Sequence, residues 1–362
     1  MRVAIIDAEL LSNTKHRFPN LACMKIAGFY KEQGAEVKLK LNYDGLRSYD
    51  KVYISKVFTK TEINPYVLDL ANVEYGGTGF FYDKAPALPY EIEHHMPDYH
   101  LYDEWVSEQI ASGVSKVNLR YFTDYSIGKL TTGCFRQCEF CVNRNTTKVC
   151  EHSPISEFLD ETRPKICLLD DNFLGYSGWK EKLLDLQATG KPFQFKQGLD
   201  ERILTDEKCE LLFQSKYDGH YIFAFDNIAD REIIESKLQM IRKYTNRELK
   251  FYVFTGFDRE DKWDLDFWVQ DIVDLFERIK LLMEYKCLPY VMRFESYEDS
   301  PFKTIYSYAA AWCNQPSFFT KKTFMEFSTV RAKSEANPIS DFANQYPDIA
   351  QTYFHMLPML KK

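Results

Sequence analysis

The sequence lacks any long hydrophobic run, and it lacks an excess of basic residues. No apolar stretch approaches the roughly 20 residues that a helix needs to span a bilayer, so we expect no membrane segment. The 362 residues carry a net charge of −7, which argues against broad contact with a nucleic-acid backbone, because such contact needs a basic surface. Nucleic acid stays a candidate partner only through a locally basic cleft. Residues 1–7 begin a strand, and their apolar run is too short for a signal peptide.

The composition is typical of a folded protein from a reducing compartment. Hydrophobic residues make up 45% of the chain and aromatic residues 16%, which is enough for a substantial core, and the length favours two domains. Nine cysteines without an export signal indicate the cytoplasm. Six of them are isolated and are interpreted as small buried hydrophobes rather than a second metal site: Cys23, Cys150, Cys167, Cys209, Cys287 and Cys313.

The remaining three cysteines lie within residues 131–141, which we call the cysteine loop. Their spacing is C-x₃-C-x₂-C, at Cys134, Cys138 and Cys141. Thiolates this close in sequence can converge on one soft metal centre, because a short loop costs little closure entropy. A structural zinc site or an electron-transfer iron–sulfur cluster normally has four protein ligands. Three ligands therefore predict a cluster with one iron left open for chemistry.

The cysteine loop resembles that of the radical S-adenosylmethionine enzymes, including Gly133 before the first cysteine and Phe140 before the last. The resemblance implies that the three cysteines bind a 4Fe–4S cluster, whose open iron chelates the amino and carboxylate groups of S-adenosylmethionine. One electron then breaks the sulfonium bond and releases a 5′-deoxyadenosyl radical, which takes hydrogen from a substrate. The alternative is a non-enzymatic zinc or iron–sulfur protein, with Cys150 as a fourth ligand.

The N-terminal segment alternates strands and helices, which predicts a Rossmann-like, doubly wound parallel sheet. It resembles the cobalamin-binding domain that precedes the barrel in one branch of the same superfamily, and residues 76–79, Gly-Gly-Thr-Gly, match that branch's glycine turn. The D-x-H-x-x-G element of cobalamin proteins is absent, since Ala-Glu-Leu-Leu follows Asp7. Cobalamin is therefore kept as an alternative cofactor, with a cobalamin-dependent radical methyltransferase as the alternative function. A scaffold or lid without cobalamin is the other interpretation.

From residue 116 onward, strand-like runs alternate with helical stretches, as a β/α barrel requires. The first run precedes the cysteine loop, and the others are residues 165–169, 193–197, 221–225, 249–254 and 290–294. Six strands make a partial barrel rather than a full eight. The predicted fold is α/β throughout, with four segments: a Rossmann-like domain at 1–84, a linker at 85–115, a partial (β/α)₆ radical S-adenosylmethionine barrel at 116–299, and a helical tail at 300–362.

Polar residues follow these strands, and the carboxyl ends of barrel strands are where active sites lie. Asp170, Asp171 and Asn172 stand where the family carries Gly-Gly-Glu, the motif that binds the amino group of S-adenosylmethionine. Either carboxylate can accept from that ammonium, so the choice between Asp170 and Asp171 stays open. For any single acidic residue, capping of the following helix is the alternative interpretation.

The family resemblance assigns roles to other strand ends. Arg202 would pair with the methionyl carboxylate, Asp226 or Asn227 would hold the ribose hydroxyls, and Gly256 would let the backbone approach adenine. The cofactor-binding candidates are Phe140, Asp170, Asp171, Asn172, Gln197, Arg202, Asn227 and Gly256, and the catalytic candidates are Asp200, Asp226 and Arg293, with Asp258 and Glu295 as further substrate contacts.

Three features outside the barrel receive no chemical role. Adjacent His94 and His95 in the linker point in different directions, so one metal would rarely take both; the linker is expected to be a surface or interdomain loop. The mixture of basic and aromatic residues at 318–324 is interpreted as an amphipathic helix rather than a nucleic-acid site. The expected partners are a small-molecule or peptide substrate and a reductant such as flavodoxin or ferredoxin.

Overall fold

The computed structural model describes residues 1–12, 16–332 and 339–357. It divides the chain into two compact units, Met1–Lys196 and Gln197–Lys362. The strands, in chain order, are β1 Arg2–Asp7, β2 Glu36–Leu39, β3 Lys51–Ser55, β4 Val73–Gly76, β5 Tyr125–Gly128, β6 Thr131–Thr132, β7 Cys150–Glu151, β8 Lys165–Leu168, β9 Phe193–Phe195, β10 Ile222–Ala224, β11 Leu249–Thr255 and β12 Cys287–Arg293.

Helices connect most of these strands. They are α1 Ala8–Ser12, α2 Leu21–Glu32, α3 Thr78–Phe81, α4 Tyr90–Glu93, α5 Asp103–Ala111, α6 Arg120–Thr123, α7 Trp179–Ala188, α8 Asp206–Gln214, α9 Arg231–Ile241, α10 Leu265–Glu284, α11 Lys303–Cys313, α12 Pro316–Phe319, α13 Phe324–Arg331, α14 Ser340–Gln345 and α15 Pro347–Ile349, followed by a π-helical turn at Ala350–Phe354. None of the helices in the described ranges combines the length and apolar character needed to cross a membrane.

The first unit begins with a four-stranded parallel sheet in the order β2-β1-β3-β4. Strand β1 is buried at five of its six positions, as expected of a strand covered on both faces of a parallel sheet. Helix α2 starts where the Asn20 side chain accepts a hydrogen bond from the backbone N–H of Cys23 at 3.2 Å, and it ends before Gly34, whose φ of +76° suits a helix terminus. The doubly wound order has its switch point between β1 and β3.

The same unit holds a second parallel sheet in the order β5-β8-β9, together with the antiparallel pair β6 and β7. One hydrophobic core joins both sheets of this unit, since it contains Ile5 of β1 and Ile127 of β5. Tyr99, Tyr102 and Trp105 are buried in that core as well. The expectation of a surface or interdomain loop, made for residues 85–103, is therefore wrong at Tyr99 and Tyr102, which belong to a packed part of the unit.

The second unit is built on a parallel sheet in the order β10-β11-β12. Helix α10 is the longest helix in the described residues, and its N-terminus is capped by Asp264, which accepts from the N–H of Phe267 at 2.8 Å. One face of α10 is buried, as the spacing of its apolar residues predicts. The described part of the tail is helical, as predicted. It packs Phe324 and Phe354 against Phe276 of α10, and Trp312 packs against Phe324.

The sequence located all six strands of the predicted barrel. Strands β5, β8 and β9 lie in the first unit and β10, β11 and β12 in the second. The first barrel strand begins only at Tyr125, because residues 116–123 form a 3₁₀ turn and the short helix α6 instead. The mixed α/β fold with parallel sheets is confirmed, whereas the joining of the two sheets into one partial barrel stays a prediction.

Candidate iron–sulfur and cofactor site

Gly133 connects β6 to the first cysteine, and its position is one that only glycine can occupy without strain. Gly133 has φ +88°, and a Cβ built on it would lie 2.5 Å from the carbonyl oxygen of Lys148. Downstream, Thr146 closes the loop: its hydroxyl accepts from the N–H of Cys134 at 2.9 Å and contacts the Cys134 carbonyl at 2.7 Å. Glycine at this position is thus explained by the fold of the loop itself.

Polar N–H groups are directed at two of the cysteine sulfurs. The backbone N–H of Arg136 and the side-chain amide of Asn172 each lie 3.4 Å from Cys134 Sγ, and the N–H of Asn143 lies 3.4 Å from Cys141 Sγ. Hydrogen bonds of this kind favour the thiolate and tune iron–sulfur potentials. Cys134, Cys138 and Cys141 are all half-buried. The donor set therefore fits an iron–sulfur cluster.

A preformed single-ion site receives no support. Within residues 1–12, 16–332 and 339–357, no three His, Cys, Asp or Glu side chains are grouped closely enough to hold one metal ion. Cys150 lies in β7, paired with Thr132 of β6 across the antiparallel ladder. The zinc alternative, with Cys150 as a fourth ligand, therefore rests on the sequence alone.

The two acidic residues after β8 hold the start of the cysteine loop. Asp170 is 1% exposed; its Oδ1 accepts from the N–H and the hydroxyl of Thr131, both at 2.7 Å, and its Oδ2 accepts from the N–H of Leu130 at 3.2 Å. Burial raises the pKa of Asp170 to about 6. Asp171 accepts from the N–H of Gly133 at 2.8 Å through Oδ2. The structure therefore brings Asp170, Asp171 and Asn172 together with the cysteines.

In the second unit, Arg202 lies between two carboxylates. Its Nε donates to Asp200 Oδ1 and its Nη1 to Asp230 Oδ2, both at 2.8 Å. The neighbouring Glu201 is completely buried; its Oε2 accepts from the N–H of Ala224 at 3.2 Å, and its Oε1 has no hydrogen-bond partner. Burial raises the pKa of Glu201 to about 8. Sequence reasoning missed Glu201 and Asp230, although both stand beside residues that it selected.

Asp226 is half-buried and lies near the buried Arg278, at the ends of β10 and β11. It accepts from the N–H of Phe254 at 3.0 Å, and burial raises its pKa to about 6. The fully buried Arg278 of α10 donates to the carbonyl oxygens of Phe225 and Phe254 at 3.1 and 2.7 Å. Its charge partly offsets the effect of burial on Asp226. Arg278 carries no sequence signal, because it occupies one position of an otherwise apolar helix face.

The remaining predicted residues have varied surroundings. The N–H of Gly256 donates to Asp271 at 2.9 Å, and the Asn227 side chain accepts from the N–H of Ala229 at 3.1 Å, as a helix cap does. Arg293 is exposed and stacks on Tyr297 at 4.3 Å from its ring centre. Gln197 and Glu295 are exposed, and Asp258 accepts from three backbone N–H groups of its own turn.

Comparison with known proteins rests on structure. No protein-family profile matches the chain, and no curated protein matches it. A radical S-adenosylmethionine methyltransferase, TsrM from Kitasatospora setae, solved with cobalamin and a [4Fe–4S] cluster, matches with a TM-score of 0.51 and 10% identity over 81% of this chain and 74% of that one. The chain has a radical S-adenosylmethionine enzyme fold. TsrM solved with tryptophan substrate and the analogue aza-SAM matches with a TM-score of 0.51 and 11% identity, over 80% and 72% of the two chains.

This likeness shows that the chain shares the fold of a radical S-adenosylmethionine methyltransferase solved with cobalamin, which agrees with the fold that the cysteine loop and the glycine turn led us to expect. At 10–11% identity it does not carry residue roles from one chain to the other. The assignments of individual site residues therefore stand on the local geometry described above.

Proposed function

We propose that the chain is a radical S-adenosylmethionine enzyme. The observation that carries the proposal is the cysteine loop, in which N–H groups are directed at two of three half-buried cysteine sulfurs. The carboxylates of Asp170 and Asp171 hold the start of this loop. Cys134, Cys138 and Cys141 would hold a 4Fe–4S cluster, and a bound cluster supplies the electron that cleaves the sulfonium bond of S-adenosylmethionine. The fold of the chain is the one on which TsrM carries such a cluster.

The surroundings of the two acidic residues suggest a division of labour. Asp170 uses both carboxylate oxygens to bind Leu130 and Thr131, so its role is to hold the loop. Asp171 is less buried and makes its hydrogen bonds to Thr132 and Gly133 through Oδ2. Asp171 is therefore our candidate for the ammonium of S-adenosylmethionine, and Asn172 supports the sulfur of Cys134.

The second unit supplies the remaining candidates. Asp226 is half-buried, and desolvation raises its pKa to about 6, so it can hold or release a proton near neutral pH. Arg202 is neutralised by Asp200 and Asp230, which makes it a positioned fork rather than a free cation for the methionyl carboxylate. Arg293 is exposed and remains the candidate for substrate contact. We propose a small molecule or a peptide as substrate, flavodoxin or ferredoxin as reductant, and a cytoplasmic setting.

The test is anaerobic reconstitution with iron and sulfide, followed by dithionite reduction in the presence of S-adenosylmethionine. We expect close to four iron atoms per chain and release of 5′-deoxyadenosine. A variant with the three loop cysteines changed to alanine should bind no cluster, whereas Cys150→Ser should bind it fully. Absence of iron from wild type, or zinc retained through Cys150, would refute the proposal.

A cobalamin-dependent methyltransferase is the second candidate, and one observation favours it. A cleft of about 880 Å³ opens at the carboxyl edge of the N-terminal sheet, lined by loops that follow β1, β2 and β3, including Leu11, Tyr43 and Phe58. This edge is where doubly wound sheets bind ligands. Against it, the glycine turn is explained by contacts within the chain: a Cβ on Gly77 would lie 2.3 Å from the carbonyl oxygen of Lys56.

The two candidates separate on titration with hydroxocobalamin. A corrin absorption band that comigrates with the protein, together with methyl transfer from S-adenosylmethionine, would favour the methyltransferase. If the chain retains no corrin yet forms 5′-deoxyadenosine, the first candidate stands alone.

A further inference from the structure

The segment that follows the glycine turn reaches the cysteine loop. The Tyr82 hydroxyl donates to the carbonyl oxygen of Phe140 at 2.5 Å, and Asp83 Oδ2 pairs with Arg144 Nε at 2.7 Å. The same Asp83 oxygen accepts from the side-chain amide of Asn145 at 2.9 Å. Tyr82 and Asp83, which are consecutive in the sequence, therefore both contact residues 140–145, around and just after Cys141.

Arg144 joins these contacts into one cluster. Its guanidinium lies over the Tyr82 ring, 5.5 Å from the ring centre, and its Nη1 donates to the carbonyl oxygen of Glu139 at 3.2 Å. The Asp83 side chain is only 7% exposed. The carbonyl groups of Glu139 and Phe140, which lie between Cys138 and Cys141, are thus both fixed from outside the loop.

The backbone of residues 78–81, just before Tyr82, is held in place by contacts with the chain after β3. Gly79 donates its N–H to the carbonyl oxygen of Lys56 at 2.9 Å, and a Cβ on Gly79 would lie 2.8 Å from the carbonyl oxygen of Phe58. Thr78 bonds the carbonyl of Val57 through its hydroxyl. Helix α3 is therefore seated directly on the chain after β3. Tyr82 then adopts φ +50° and ψ −111°, a conformation that a tyrosine takes only when its surroundings impose it.

We propose that Tyr82 and Asp83 are positioning residues that clamp the cysteine loop and set how firmly the cluster is retained. The proposal rests on the proposed function and extends it, because it makes the glycine turn of the N-terminal sheet part of the cluster-holding apparatus. The physical reason is that residues 133–149 contain no helix or strand and depend on such contacts for order. Fixing the two carbonyls that precede Cys141 lowers the entropy that the loop must lose when its sulfurs bind iron.

The first test needs no cofactor. Hydrogen exchange of the full-length apo chain is measured at the amides of Cys141, Arg144 and Thr146. These amides donate to the carbonyl oxygens of Cys138, Cys141 and Asn143, all within residues 133–149. Tyr82→Phe and Asp83→Asn should each speed exchange there by about fivefold, as expected for loss of one hydrogen bond. Tyr66→Phe and Asp69→Asn, at exposed positions of the same unit, are the matched controls and should change nothing. Unchanged exchange in both clamp variants would overturn the proposal.

The second test measures cluster retention. After reconstitution, iron release to an excess of chelator is followed by absorbance, and we expect release from Tyr82→Phe and Asp83→Asn to be roughly tenfold faster than from wild type. Arg144→Lys keeps the positive charge but lacks the planar guanidinium, so its rate of iron release should lie between that of wild type and that of the two clamp variants. Equal melting temperatures of the apo forms would exclude general unfolding as the cause.

The outcomes separate the two claims. Faster exchange with unchanged iron release would overturn the retention role of the clamp while leaving the proposed function intact. Wild type that takes up no iron would instead refute the proposed function, and the proposal with it. A shift in the electron paramagnetic resonance spectrum of the reduced cluster in Tyr82→Phe would support it, since a merely structural contact elsewhere would not alter that signal.

Discussion

Replacing Asp7 by asparagine should remove a pH-dependent loss of stability from the first unit. Asp7 ends β1 and is 1% exposed; its Oδ2 accepts from the Tyr102 hydroxyl at 2.8 Å, and its Oδ1 accepts from the N–H of Glu9 at 3.3 Å. Burial, with the nearby charge of Glu9 adding to it, raises the pKa of Asp7 from 3.8 to about 7. Asn keeps the size of the side chain and an oxygen for Tyr102 but carries no charge.

The sign follows from where the proton is held. An acid whose pKa is higher in the folded state binds protons more tightly there, so its contribution to stability is present at low pH and is lost as the pH rises towards the folded-state pKa of about 7. Between pH 5 and pH 8 these two pKa values give a loss of about 2.5 kcal/mol. For a cooperative unit of this size, that corresponds to a melting temperature lower by roughly 5–10 °C.

The assay is thermal unfolding followed by circular dichroism at pH 5, 6, 7 and 8, for wild type and Asp7→Asn. Subtracting one melting temperature from the other at each pH cancels the other titrating groups. The melting temperature of Asp7→Asn, relative to that of wild type, should increase steadily as the pH rises. Asp69→Asn, at an exposed position, is the control and should give a pH-independent difference. A difference that is flat for Asp7→Asn as well would refute the assignment of a buried, proton-binding carboxyl.

Three further predictions concern the site. Gly133→Ala should lower iron content after reconstitution, because the added Cβ would clash with the Lys148 carbonyl at 2.5 Å in a backbone conformation that disfavours alanine; iron and sulfide assays measure this. Asp170→Ala should destabilise the first unit by roughly 2–4 kcal/mol, since it leaves the buried N–H groups of Leu130 and Thr131 without an acceptor; denaturant unfolding measures this. Arg278→Met should cost about 3–5 kcal/mol, because it leaves the carbonyl oxygens of Phe225 and Phe254 without their donor and the half-buried Asp226 without its positive neighbour. Asp226→Asn in the same chain should recover the electrostatic part of the loss in thermal melts.

Local sequence patterns were sufficient to locate the strands of the predicted barrel and to single out the cysteine loop. Strand β11 could be located because apolar residues alternate along it, and its burial alternates in the same register. The C-x₃-C-x₂-C spacing is likewise a local signal. Tyr82 and Asp83 could not be found in this way, because they lie 58 and 61 residues before Phe140 and Arg144. The burial of Tyr102 was missed for the same reason: its partner Asp7 is 95 residues away.

Acidic residues stand at the strand ends as the sequence indicates, but some of them bind loop backbone there. Their placement after successive strands predicts contacts with cofactor or substrate, with helix capping as the alternative. Asp170 accepts from backbone N–H groups of the cysteine loop, and Asp258 accepts from those of its own turn. These carboxylates shape the loops that carry the site. Asp170 accepts from two backbone N–H groups and Asp258 from three, whereas Asp171 and Asp226 each accept from one through a single oxygen. This difference favours Asp171 and Asp226 over Asp170 and Asp258 in the proposed chemistry. Glu201 joins them, because one oxygen of a fully buried carboxyl without a partner is a cost that folding alone does not explain.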